Sequence, residues 1–304
     1  MRIIIKILKE WTLPVAMVFG IAGYRWFGAL SSLIPALIFM MLLLTFCKLD
    51  LARLRPTKLH LWLLLIEIVG SVGLFYALVL FDRTVAQAVA LCVIAPTATA
   101  ASVVAGKLRG NVGMVASFTL FANFAVTIAV PLFFPLMSEK QADVAFWQTF
   151  FYIVKKIVPL VICPFLLALV LRKWLPKLNT RLISVNGVAF YLWALALVIV
   201  IAQTVQRMVE TPFEGYVMCW IAVGSLIICL LQFLLGWRIG KHYGERVAGG
   251  QALGQKNSIL AIWMAHAYLH PLAALGPGFY VLWQNIINSW QLYRQRQEQH
   301  NNSK

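Results

Sequence analysis

The sequence predicts an all-α polytopic membrane protein: ten transmembrane helices in a five-plus-five inverted repeat, with the fourth and ninth broken and crossing. Three observations predict it. Of 304 residues, 62% are apolar and only 12% charged, and the mean hydropathy is +0.83, whereas about a quarter of a soluble domain is charged. The apolar residues gather into ten runs close to the ~20 residues that span a bilayer. The basic residues gather in alternate connections, as cytoplasmic loops require. Together these exclude a soluble enzyme, a disordered chain and a nucleic-acid module. The net charge of +16 does not point to nucleic acid, because the cations sit between apolar runs rather than on one polar face.

The first span, 11–28, follows Arg2, Lys6 and Lys9, which have the outline of a signal peptide. No small-x-small site before a polar stretch follows, so it reads as an uncleaved span. Spans 30–47, 59–81, 84–106 and 111–137 complete the first half, and 150–171, 182–205, 215–237, 243–268 and 272–293 form the second. With the N-terminus inside, cytoplasmic connections hold 19 basic residues, including Lys48, Lys107, Arg172, Arg238 and Arg294. Outer connections hold four, Arg25, Arg83, Lys140 and Arg207. A multi-pass inner (plasma) membrane protein with both termini cytoplasmic is therefore expected, with 294–304 a polar tail that frays. No connection is long enough for a soluble domain, so 1–304 reads as one membrane domain. Cys47, Cys92, Cys163, Cys219 and Cys229 lie in or beside apolar runs without CxxC spacing. They read as small buried hydrophobes, and no metal or cofactor is implied. Trp11, Trp26, Trp147 and Trp237 read as interfacial belts.

Two spans are not ordinary helices. Span four contains Ala95-Pro96-Thr97-Ala98-Thr99-Ala100-Ala101-Ser102, where Pro96 removes a backbone donor. Span nine contains Gly249-Gly250-Gln251-Ala252-Leu253-Gly254-Gln255-Lys256-Asn257-Ser258, polar and glycine-rich. Unwound backbone at membrane depth is tolerated only in protein or beside a wet cavity. Matched interruptions in two halves point to the binding site of a secondary transporter. A packing kink with hydroxyls bonded back to the helix is the plainer alternative.

At these residues the chain resembles the bile acid:sodium symporter family. Pro96-Thr97-Ala98-Thr99-Ala100-Ala101-Ser102 and the turn Gly110-Asn111 are similar to the family's span-four stretch and exit. Leu253-Gly254-Gln255-Lys256-Asn257-Ser258 is similar to its span-nine crossing segment, and Pro271 to Gly278 with Trp283-Gln284-Asn285-Ile286 to its tenth helix. The resemblance implies a panel (11–47 and 150–205) against a core (59–137 and 215–293), whose relative movement exposes the crossing to each side in turn. It also implies symport of organic anions such as bile acids or keto acids, usually driven by sodium.

The departures from the family are specific. The resemblance places one sodium site on Ala101, Ser102, Val115, Thr119 and Ala252, and the second on Glu67, Ala252 and Lys256. Oxygen ligands are thereby replaced by apolar groups and an ammonium. The register is chosen on Gly254, Asn257 and Ser258 together; one residue earlier, Gln251 and Gln255 would take those places. Lys256 is the sole basic residue deep in a span and Glu67 the sole carboxylate, and a charge at that depth requires a partner or water. The two are expected to meet, with the pair in place of a bound cation. A proton-responsive pair and a permanent structural ion pair both remain open readings.

Thr97, Thr99, Ser102, Thr119, Asn257, Ser258 and Asn285 are the candidate residues of the substrate and crossing region. His266, ten residues beyond Lys256, is a candidate proton relay or a hydrogen-bonded core histidine. Lys155 and Lys156 either snorkel to the outer interface or attract an anion. No Asp lies deep in a span and no HExxH occurs, so an intramembrane protease is excluded, and no repeated filter sequence suggests a channel. The expected partners are a small organic anion, the lipid bilayer and protons as a candidate coupling ion, with no nucleic acid. The alternatives are a non-transporting membrane receptor or sensor, and a sodium-coupled symporter with relocated ion sites.

Overall fold

A computed structural model of the chain describes residues 15–49, 54–138, 146–184, 188–210 and 215–302. Among these residues every regular element is a helix, with one isolated β-bridge between Thr97 and Lys256. Among the described residues, six helices are long and apolar enough to cross a membrane. The described residues separate into two compact units, within 1–48 and 155–213 and within 49–154 and 214–304.

In the first unit, helical turns over 15–22 and Tyr24–Gly28 and a 3-10 turn Ala29–Leu33 lead into α1, Ile34–Lys48. The expected start of span one, with Trp11, lies outside the described residues. The Cys47 carbonyl accepts from Arg172 at 3.3 Å, and Phe46 meets Phe165 edge to face.

In the second unit the polar starts of helices are capped as their sequences dictate. Lys58–Leu78 (α2) begins in a reciprocal box: Thr57 N donates to His60 Nδ1 at 3.0 Å and the Thr57 hydroxyl accepts from His60 N. That leaves His60 Nε2 as the donor to the Met114 carbonyl at 3.2 Å. Asp82 accepts from Val85 N at 2.7 Å and starts α3, Arg83–Ile94. Ala100–Lys107 (α4) follows, then α5, Val112–Met137, capped by Asn111 accepting from Met114 N at 3.0 Å. Each cap satisfies donors that the helix itself leaves free.

The remaining elements are α6 (Phe146–Trp174), α7 (Pro176–Ser184), α8 (Val188–Glu210), α9 (Gly215–His242), α10 (Arg246–Gly254), α11 (Ser258–Tyr268) and α12 (Leu275–Asn302), the last entered through a 3-10 turn Pro271–Ala274. The expected spans four and nine are therefore each two helices, α3 with α4 and α10 with α11. The unwinding in span nine is narrower than its composition suggested. Gly249 to Gly254 are helical, and only residues 255–257 leave the helix. Those glycines serve packing instead: Gly236 and Gly240, four apart on α9, let the backbone of α10 approach. A Cβ at Gly236 would lie 2.4 Å from the Gly249 carbonyl oxygen, and one at Gly249 2.4 Å from that of Gly236. Small residues at four-residue spacing are how helices reach such contact in lipid.

Two other expectations need correction. The tail is helical to Asn302, because its run of Gln, Arg and Glu continues α12 without a breaker. Cys163 and Cys219 are exposed rather than buried; in a bilayer, apolar side chains have no reason to turn inward. Trp237 rests on Gly250, where a Cβ would meet its ring at 2.0 Å, and Trp26 and Trp147 are exposed.

Candidate functional site

The second unit brings the two broken helices together. Helix α3 ends because Pro96 forces Ala95 into an extended conformation (φ −54°, ψ 129°). Gln255 is likewise extended (φ −95°, ψ 114°), and Asn257 restarts the chain by capping α11 at Leu260 N, 3.3 Å. The two extended segments lie antiparallel. Ala98 N donates to the Gln255 carbonyl at 3.0 Å, and Asn257 N to the Pro96 carbonyl at 2.8 Å.

Breaking two buried helices exposes carbonyls that must find donors, and side chains supply several of them. The Thr97 hydroxyl donates to the Ala252 carbonyl at 2.6 Å. Tyr280 donates to Gly254 O at 2.8 Å, and Gln232 donates to Cys92 O at 3.2 Å and to the Tyr280 oxygen at 3.0 Å. Ser71 donates to Ala90 O at 2.8 Å. Gln284 spans the other break: its Oε1 accepts from Lys256 N at 2.9 Å, and its Nε2 donates to Lys256 O at 3.5 Å.

From this frame Lys256 reaches Glu67 of α2, Nζ to Oε1 at 3.2 Å, with the side chains 1% and 0% exposed. Neither the ammonium nor the carboxylate oxygens have another hydrogen-bond partner among the described residues. Each charge of the pair is buried and has the other as its ionic partner. Beside it, Ala101, Val115 and Ala252 belong to one buried apolar cluster with Leu63, Phe118 and Leu253. Alkyl groups thus fill three of the positions where the resemblance implied oxygen ligands, while Ser102, Thr119 and Glu67 keep oxygens. An ion such as sodium requires several hard oxygen donors, and the side chains of this cluster carry none.

The other candidates are placed differently. The hydroxyls of Ser102 and Thr119 turn back to their own helix, to Thr99 O at 3.0 Å and Val115 O at 2.8 Å, as hydroxyls in apolar helices commonly do. Ser258 reaches Lys256 O at 3.5 Å. Asn285 donates to Val281 O of its own helix at 2.6 Å, and its neighbour Gln284 makes the cross-helix contact. His266 stands in the last turn of α11, partly buried, and Lys155 and Lys156 are exposed. Gln251 and Gln255 join an amide cluster: Gln255 donates to Gln251, which donates to Asn288 at 3.4 Å and Gln291 at 2.9 Å. Tyr280, Gln232 and Gln284 were not singled out in the sequence as helix-break partners. A polar side chain deep in an apolar run was the available signal for each.

The profile of the Sodium Bile acid symporter family matches residues 34–211. Among curated proteins, the chain is similar to the "Uncharacterized sodium-dependent transporter YocS" of Bacillus subtilis (strain 168), 22% identical over 200 residues. That alignment covers 64% of this chain and 59% of the relative's length.

Proposed function

Because the chain belongs to the sodium bile acid symporter family, we propose that it is a secondary active transporter that moves a small organic anion across the membrane by alternating access. In this reading ten spans form a five-plus-five inverted repeat in the inner membrane with both termini cytoplasmic. A core of 59–137 and 215–293 carries the crossing and moves against a panel of 11–47 and 150–205. The substrate is bile-acid-like or keto-acid-like, bound near Thr97, Thr99, Asn257 and Asn285, where two half-helices begin with positive dipole ends. The symporters named by the family are carriers and not enzymes, and the chain is read accordingly.

Sodium is not the coupling ion at the family positions in this reading. The observation that carries this is the Lys256–Glu67 contact at 3.2 Å, beside an apolar cluster containing Ala101, Val115 and Ala252. A tethered ammonium does electrostatically what a bound cation does elsewhere, and it cannot dissociate. The relative's printed name assigns sodium dependence to that protein; here the ligand set favours sodium-independent transport. A second reading is favoured by the buried amides of Gln251, Gln255 and Asn288, whose oxygens could hold a relocated sodium.

The test is uptake into proteoliposomes from a mixed organic-acid pool, with sodium and pH gradients imposed separately. Accumulation of an anion without sodium supports the proposal. Sodium-dependent uptake lost in Gln251→Leu moves the ion to the amide cluster, and binding without accumulation makes the protein a receptor.

A further inference from the structure

The connection between α6 and α8 folds as a helix of its own, α7, Pro176–Ser184, and transport as proposed makes no use of it. Asn179 is buried. At 100° per residue, Leu182 and Ile183 fall on the Asn179 side of the helix, Leu178 stands at the edge of that side, 100° round from Asn179, and Lys177 and Arg181, four apart, fall opposite. The apolar side is wider than the protein that covers it: Leu178 and Ile183 remain 43% and 37% exposed. Just before the helix, Trp174 and Leu175 are 69% and 50% exposed. Lys177 and Arg181 are exposed as well.

The position of α7 along the chain fixes where these faces lie. It begins two residues after α6 ends and stops four residues before α8 starts, and both neighbours are long and apolar enough to cross a membrane. A nine-residue helix on such short tethers is held where hydrocarbon meets water. An apolar rim with a tryptophan on one side and cations on the other is the arrangement that lies in a headgroup layer. A free phosphate would use the cations and leave the apolar rim unexplained.

We propose that α7 is a docking surface for anionic phospholipid. Trp174, Leu178 and Ile183 enter the acyl boundary, while Lys177 and Arg181 hold headgroup phosphates.

The experiment is native mass spectrometry of the full chain in detergent, titrated with phosphatidylglycerol or phosphatidylcholine. A basic residue near an anionic lipid surface contributes about fivefold in affinity, so K177Q/R181Q loses about 25-fold for phosphatidylglycerol and nothing for phosphatidylcholine. K177R/R181K, which keeps the charges, binds like the unaltered chain, and R238Q/K241Q at another connection loses far less than K177Q/R181Q. Equal affinity of the unaltered chain for the two lipids would overturn the proposal. So would an equal loss in K177Q/R181Q and R238Q/K241Q, or displacement of the lipid by inorganic phosphate.

Discussion

Replacing Lys256 by methionine keeps a side chain of similar length and removes the charge that faces Glu67. In the folded protein the carboxylate is 0% exposed and its one ionic partner is 3.2 Å away. It has no hydrogen-bond donor among the described residues to take over. Breaking a buried pair from one side typically costs about 3–5 kcal/mol, because an uncompensated charge stays behind. At about 1.6 °C per kcal/mol for a chain of 304 residues, the unfolding midpoint of K256M falls by about 5–8 °C. The double variant K256M/E67L removes both charges and replaces them with alkyl groups of similar bulk, an exchange that is often neutral or better. It recovers most of the loss, so the coupling between the sites is at least about 2 kcal/mol. The assay is thermal unfolding of detergent-purified protein followed by tryptophan fluorescence. A double variant at least as unstable as the sum of the two single variants would refute the reasoning. So would a K256M midpoint equal to that of the unaltered chain.

Four further outcomes follow from other contacts. Thr97→Val strands the Ala252 carbonyl that its hydroxyl meets at 2.6 Å and destabilises by about 1–3 kcal/mol, read in the same unfolding assay. Tyr280→Phe removes the donor to Gly254 O and one partner of Gln232, with a loss of similar size; a midpoint unchanged within error contradicts the assignment. Gly249→Ala drives a Cβ to 2.4 Å from the Gly236 carbonyl and costs about 1–3 kcal/mol by overpacking, while Gly73→Ala, with open space around it, costs far less. Arg109 holds φ at 59°, where glycine is free of the Cβ penalty, so Arg109→Gly raises stability by about 1 kcal/mol, measured as a higher midpoint.

The break in span four could be read from Pro96 alone, since a missing donor and a constrained predecessor end a helix locally. The break in span nine was read from composition, and its position at 255–257 depends on something composition does not carry. The glycines before it are helical because Gly236 and Gly240 of another helix need them at close range. Tyr280, Gln232 and Gln284 serve carbonyls 26 to 140 residues away, separations at which no periodicity operates. Glu67 and Lys256 stood out for a different reason, as lone charges where charge is costly. Ser102 and Thr119 had the right chemistry for a site, but a hydroxyl can return to a carbonyl three or four residues back, and nothing in the sequence says which it does.

The centre of the crossing is joined by main chain to main chain, Ala98 to Gln255 and Asn257 to Pro96. Peptide groups are common to every residue type except for the missing donor of proline. The joint therefore places no demand on the side chain carried at 256, and the amide of Gln284 that steadies it also grips backbone. A crossing built this way has a scaffold separable from its charge chemistry. The charges in the middle can be exchanged by a substitution at 256 and another at 67 while the backbone geometry persists. Such a joint can be refitted with different side chains, much as a socket accepts different fittings.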